Sequence, residues 1–99
     1  MKPKVFHDLD KMETWAKDHP DKVARHILKA WRKIIEEDEE VIVVVKCKSD
    51  DYLEDMDIIV EKGEETEALE SLLNEAVDRE DYELAKEIKS LQEKVTDGS

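Results

Sequence analysis

The sequence predicts a small α+β fold: two N-terminal helices on a small antiparallel β-hairpin sheet, followed by a C-terminal antiparallel helical hairpin. Apolar residues recur at helical spacing in the first and last thirds of the chain, whereas residues 41–48 contain a β-branched run typical of a strand. A chain of 99 residues fits one domain. A domain of this size buries only roughly 60 to 70% of its unfolded surface. We therefore expect any helical pair that exposes apolar side chains to need something to pack against.

The N-terminal part is predicted to be mainly helical. Asp10 and Glu13 have the spacing of a capping box, so the first helix should begin there, and residues 4–6 could precede it as a third strand. The second helix, at about 21–36 with Pro20 at its first position, is the most clearly amphipathic element. Its polar face is basic and carries Lys22, Arg25, Lys29, Arg32 and Lys33. This face could be a solvated surface, a site for an anion or an acidic partner, or a contact with the acidic end of the same chain.

Two strands are predicted in the middle of the chain, at 41–48 and 56–62, joined by a turn in residues 49–55. The first strand is strongly apolar, and an apolar edge in so small a sheet has to be covered. Pairing of that edge across a two-fold axis would cover it, so we expect a homodimer. Cys47 lies in this strand with no adjacent base and is expected to be a core residue rather than a nucleophile.

A boundary between two parts of the chain is predicted at Gly63, the only glycine before the C-terminal tail. Residues 1–63 would form the small α+β unit, residues 64–95 the helical hairpin, and residues 96–99 a frayed tail. The two helices of this hairpin carry apolar stripes. They comprise Leu69, Leu72, Leu73, Ala76 and Val77 in the first helix, and Tyr82, Leu84, Ala85, Ile88, Leu91 and Val95 in the second. Two helices of this length bury too little on their own, so the stripes must dock elsewhere.

The segment LESLLNEAVDREDYELAKEIKSLQEKV, at 69–95, resembles the UVR motif. This motif is the short helical hairpin of the bacterial excinuclease subunits B and C, and it also occurs in Clp-type ATPases and in the activator of the bacterial protein arginine kinase. The resemblance covers about residues 66–95 and is strongest in EAVDREDYELA. It implies a protein–protein module that pairs with a second hairpin into a four-helix arrangement. The alternative is that the hairpin folds onto the chain's own sheet and completes an ordinary α+β domain; one stripe could also dock internally while the turn remains available.

The resemblance implies a non-catalytic adaptor or regulator that binds another protein, in bacteria or their viruses, within DNA repair or protein quality control. Apolar side chains of the hairpin are expected to give affinity. These are Leu69, Leu72, Leu73, Ala76, Val77, Tyr82, Ala85, Ile88 and Leu91. Charged side chains are expected to set the choice of partner. These are Asp78, Glu80, Asp81, Glu83 and Lys89.

The composition argues against several other classes of function. A net charge of −12 disfavours direct binding to nucleic acid or to acidic membranes. It leaves one alternative, an acidic nucleic-acid mimic that inhibits a DNA-binding protein. We expect no cofactor and no metal, because His7, His19, His26 and Cys47 lack ligand spacing, and no catalysis, because no nucleophile adjoins a base. A single cysteine and the lack of a long apolar run predict a cytoplasmic protein.

Overall fold

The computed structural model describes residues 3–48 and 56–97. Its elements follow the order β1, α1, α2, β2, β3, α3, α4. Their bounds are β1 Lys4–Phe6, α1 Leu9–Asp18, α2 Pro20–Glu37, β2 Val41–Cys47, β3 Met56–Glu61, α3 Glu65–Asp78 and α4 Tyr82–Asp97. The α+β class, the two N-terminal helices and the C-terminal helical hairpin are confirmed. The predicted turn at 49–55 lies outside the described residues, and so do residues 98–99 of the predicted tail.

The sheet is mixed rather than purely antiparallel. Its strand order is β1-β2-β3: β1 runs parallel to β2, and β3 runs antiparallel to β2. The parallel pairing arises because α1 and α2 together connect β1 to β2, which returns the chain to the same end of the sheet. The 41–48 strand is therefore the central strand of the sheet, and the homodimer expected from its apolar run stays a prediction. Since β1 pairs only with residues 45–47, the β1 side of residues 41–44 has no partner strand within the described residues.

A β-bulge at Val44 explains how so many β-branched residues follow one another in β2. Val43 pairs with Ile59 and Val45 pairs with Ile58, so Val44 is an extra residue opposite β3. Val44 and Val45 are both buried, whereas Val41 is exposed. The bulge thus changes the alternation along the strand: Val41, Val43 and Lys46 lie on one face of the sheet, and Ile42, Val45 and Cys47 lie on the other.

The ends of the first two helices differ in part from the prediction. Helix α1 is capped by Asp8, whose side chain accepts a hydrogen bond from the backbone N–H of Asp10 at 2.8 Å, so the predicted capping box at Asp10 is wrong. Pro20 stands at the start of α2, as predicted. Helix α2 extends to Glu37 and ends at Asp38, which adopts a left-handed conformation with φ 55°.

One hydrophobic core joins all parts of the described chain. Helix α2 contacts the sheet and also contacts both α3 and α4. The buried set includes Leu28, Trp31 and Ile34 from α2, Val44 and Val45 from β2, and members of both hairpin helices. The apolar stripes of the hairpin therefore dock within the same chain, but on α2 and not on the sheet, as the alternative from sequence had it. Helix α4 continues through Asp97, past the end predicted at residue 95.

Candidate interaction surface

The hairpin is closed by a tight turn between α3 and α4. The backbone N–H of Asp81 donates to the carbonyl of Ala76 at 2.8 Å, and that of Glu80 donates to the carbonyl of Val77 at 3.0 Å. Glu80 has φ 59°, the left-handed conformation that often terminates a helix. These bonds satisfy carbonyls at the end of α3 and reverse the chain within three residues, so that α4 packs antiparallel along α3.

Asp81 holds this turn against α2. Its Oδ1 accepts a hydrogen bond from the backbone N–H of Leu84 at 3.2 Å, which caps the first turn of α4. The Arg25 guanidinium meets the same carboxylate with two nitrogens, Nη2 at 3.3 Å from Oδ1 and Nη1 at 3.2 Å from Oδ2. Only 19% of the Asp81 side chain is exposed, so this two-pronged ion pair is partly shielded from water. Asp81 therefore has a structural role in addition to any role in partner choice.

We expect Asp81→Ala to lower the free energy of unfolding by about 1–2 kcal/mol, because it removes the cap of α4 and the partner of Arg25. Urea titration followed by circular dichroism measures this loss. Asp78→Ala is the matched control, since Asp78 is an exposed acid beside the same turn, and its effect should stay within about 0.5 kcal/mol. Equal effects of the two substitutions would contradict the capping role.

A second ion pair ties the other end of the hairpin to α2. Lys94 of α4 donates to the Glu36 carboxylate. This hydrogen bond lowers the pKa of Glu36 below its ordinary value. Because the pKa is lowered on folding, the contribution of the pair is present above the unfolded pKa and is lost as the pH falls through the folded one. Together with the Arg25 pair, it shows that α2 and α4 run side by side in the same direction.

The outer side of the hairpin carries an open groove of about 550 Å³. Its lining residues are Val77, Tyr82, Ala85, Lys86, Lys89, Ser90 and Glu93. Val77 is 46% exposed and Tyr82 is 66% exposed, which are high values for large apolar or aromatic side chains. The groove has an apolar floor with two lysines along it, on a chain whose net charge is −12. We refer to it below as the hairpin groove.

The predicted partner-binding residues divide between the core and the surface. Leu69, Leu72, Ala76, Ala85, Ile88 and Leu91 are buried within the chain. Leu73 and Asp81 are partly buried. Val77, Asp78, Glu80, Tyr82, Glu83 and Lys89 are exposed. The exposed members are the ones that a partner can reach while the hairpin stays docked on α2.

Sequence reasoning did not include Lys86, Ser90 and Glu93 among the candidate residues, although all three line the hairpin groove. Their spacing from Tyr82 could have revealed two of them, because 82, 86, 89 and 93 follow one helical stripe. That stripe is mostly polar, whereas apolar spacing is the signal that predicts docking.

The basic face of α2 is partly used within the chain. Arg25 contacts Asp81 of the hairpin, and this is the contact within the chain that was considered from sequence. Lys33 Nζ lies 3.5 Å from Oε2 of Glu37. Lys22, Lys29 and Arg32 are exposed and form no ion pair within the described residues. A face for an anion or an acidic partner would therefore consist mainly of these three side chains. Arg25 and Lys33 would contribute less, because their charges already pair with carboxylates of the same chain.

Neither Cys47 nor any histidine lines the hairpin groove. Residues 3–48 and 56–97 contain no group of three His, Cys, Asp or Glu side chains placed to hold a metal ion. Cys47 is buried in β2. His26 stacks at an angle on Trp15, with ring centroids 5.9 Å apart. No helix in the described ranges is both long and apolar enough to cross a bilayer.

Comparison with known proteins identifies the hairpin. Residues 63–95 match the family model described as the UvrB/uvrC motif, UVR, and this match spans α3 and most of α4. Neither a search of curated proteins nor a search of solved structures returns a match to the chain. The resemblance to the UVR motif is therefore confirmed for this third of the chain, and the motif indicates a helical-hairpin module for protein interaction.

Proposed function

We propose that this chain is a non-catalytic adaptor or regulator that binds another protein through the hairpin groove. The setting that fits the UVR motif is a bacterium or one of its viruses, in DNA repair or in protein quality control. A cytoplasmic location goes with either setting. The shape of the groove and the charged side chains around it select the partner, so a protein with a matching helical hairpin is the first candidate.

The observation that carries the proposal is the exposure of Val77 and Tyr82 on an otherwise well-packed UVR hairpin. An aromatic ring that is two-thirds exposed adds little to the stability of a small chain. At an interface the same ring can supply large contact area with few rotatable bonds. Lys86 and Lys89 beside it offer charged contacts that favour a partner with carboxylates.

Docking of the hairpin on α2 narrows the proposed surface. The buried stripe of Leu69, Leu72, Ile88 and Leu91 would have to leave the core before a partner could use it. That exchange would expose α2 and break both ion pairs, so binding to the outer groove costs less. Affinity is therefore assigned to Val77 and Tyr82, the exposed apolar and aromatic side chains of the hairpin groove.

The test is affinity capture from a bacterial lysate with the full chain, followed by a binding titration with each purified protein that is retained. Tyr82→Glu should weaken the titrated affinity at least tenfold, since it removes an anchor and adds a charge at the apolar floor. The matched control is Thr14→Glu, which adds the same charge at an exposed residue of α1 that does not line the hairpin groove and should leave the affinity unchanged. Circular dichroism of both variants establishes that they are folded.

The nucleic-acid-mimic alternative predicts a different result. A mimic binds through many carboxylates, so its affinity falls steeply with salt and survives the loss of one aromatic anchor. Binding that Tyr82→Glu leaves unchanged, with a steep dependence on salt, would overturn the adaptor proposal in favour of the mimic.

A further inference from the structure

The sheet has one face that the helices leave uncovered. The strand register places seven residues on this face in three rows. The first row is Val5, Lys46 and Asp57, across all three strands. The next rows are Val43 beside Ile59, and Val41 beside Glu61. We call these seven residues the outer sheet face. The bulge at Val44 is the reason that Val41 and Val43 share this face with Lys46.

This face is unusually apolar for a surface. Val5 is 45% exposed, Val41 51% and Ile59 44%. The described chain has two other exposed large hydrophobic residues, Val77 and Tyr82 of the hairpin groove. The exposed large hydrophobic residues therefore form two patches, one on the sheet and one on the hairpin. Contiguous apolar surface of this kind marks an interaction site more often than scattered single residues do.

The charges on the outer sheet face are compatible with a second copy of the same chain. Lys46 and Asp57 are register partners on neighbouring strands, and neither forms an ion pair in the part of the chain that the structure describes. With Glu61 the face carries one positive and two negative side chains, whereas the whole chain has a net charge of −12. Two copies that meet at this face bring nearly balanced charges together, so it opposes self-association less than a uniformly acidic surface would.

We propose that two copies of this chain pack their outer sheet faces together about a two-fold axis. An axis that runs parallel to the strands, midway between β2 and β3, places Lys46 of each copy opposite Asp57 of the other. The same axis places Val43 opposite Ile59, so the apolar centre and the charged pair are both self-complementary. Face-to-face packing of sheets at about 10 Å is a common arrangement that buries alternate side chains of both sheets.

The face is small, because it is three short strands wide, and this limits the strength of the dimer. Stable interfaces bury about 800 Å² on each partner, so we expect a dissociation constant of roughly micromolar size or weaker. The proposal goes beyond the adaptor function, since it uses none of the residues of the hairpin groove. A dimer formed in this way would present two hairpin grooves and would bind a repeated or dimeric partner with avidity.

Sedimentation equilibrium of the full chain, from low-micromolar to millimolar concentration, tests the proposal. The wild-type chain should show a reversible dimer, and Ile59→Glu should weaken it at least tenfold by placing a carboxylate at the centre of the face. Tyr82→Glu is the matched control and should leave the dimer unchanged. A wild-type chain that stays monomeric throughout, or a dimer that Tyr82→Glu abolishes and Ile59→Glu does not, would overturn the proposal.

A charge exchange tests the geometry independently of any loss of apolar contact. Lys46→Asp alone and Asp57→Lys alone each place like charges opposite each other and should weaken the dimer severalfold. The double variant, Lys46→Asp with Asp57→Lys, restores opposite charges and should recover the wild-type association. Failure of the double variant to recover, with a circular dichroism spectrum like the wild type, would contradict the face-to-face arrangement. Failure here leaves the hairpin-groove proposal untouched, because that proposal is tested by partner binding.

Discussion

Ile88→Ala should lower the free energy of unfolding by about 2–5 kcal/mol, the range for truncating a buried aliphatic side chain. Ile88 is fully buried in α4, within the core that α4 shares with α2. The substitution should therefore destabilise the whole chain and not the hairpin alone. Val77→Ala is the matched control: Val77 is an exposed aliphatic residue of the same hairpin, and its truncation should cost no more than about 0.5 kcal/mol.

Tryptophan fluorescence provides a sharp measurement of this effect, because both tryptophans, Trp15 and Trp31, lie in the N-terminal helices. In urea titrations of Ile88→Ala, fluorescence and circular dichroism should shift to the same lower midpoint. Coincident transitions indicate one cooperative unit. If the fluorescence midpoint stayed at the wild-type value while helicity was lost earlier, residues 1–63 would be an independent folding unit, as the proposed boundary at Gly63 suggests.

Trp31→Ala should cost about 3–5 kcal/mol, the range for removing a large buried aromatic side chain. Trp31 is 2% exposed and lies in α2, the helix that contacts both the sheet and the hairpin. Trp31→Phe should cost much less, because the remaining ring still fills most of the space. The indole N–H that this change removes has no hydrogen-bond partner among the described residues, so no bond is lost with it.

Circular dichroism during urea unfolding measures both Trp31 variants, since the fluorescence signal itself changes. Trp15→Ala serves as the comparison, because Trp15 is only partly buried beside Phe6, at a ring distance of 5.4 Å. Its cost should fall below that of Trp31→Ala. An equal or larger loss of stability in Trp15→Ala would show that the packing of α1 against β1 contributes at least as much to stability as the packing of α2.

The parts of the fold that sequence predicted well are those with strong local signals. Helix α2 shows the 3.6-residue pattern along its length, and Pro20 marks its start. The UVR hairpin could be recognised because its turn and its apolar order are short-range features. The strand bounds were also within a residue of the observed ones, because β-branched runs of that length rarely form helices.

The pairing of the strands was harder to predict, because it depends on contacts that are distant in the chain. A three-residue segment such as β1 carries too little pattern to reveal that it pairs with 45–47 in parallel. The capping box predicted at Asp10 is wrong for a similar reason: its spacing to Glu13 is suitable, but Asp10 lies inside α1. The extended residue before the helix is Asp8, with φ −145°.

The sequence predicted which residues form the apolar stripes of the hairpin, but not which of them face the core and which face solvent. Sequence identified the residues of both hairpin stripes, but an apolar stripe looks the same whether it docks on its own chain or on a partner. The sequence pattern therefore does not separate Leu72 from Tyr82, although the first is 6% exposed and the second 66%. The Arg25 and Asp81 ion pair could be anticipated only as a general attraction between a basic helix and an acidic hairpin.

The bulge in β2 also affects how this strand should be aligned with those of any relatives. Val44 adds one residue to β2 without adding one to β3, so the inward and outward positions change phase there. A relative that lacks the bulge would need a single-residue gap at Val44 for its inward side chains to align with Val45 and Cys47. Bulges tend to be kept within families, so most relatives should carry the extra residue. An ungapped alignment would otherwise match core positions of one protein with surface positions of the other.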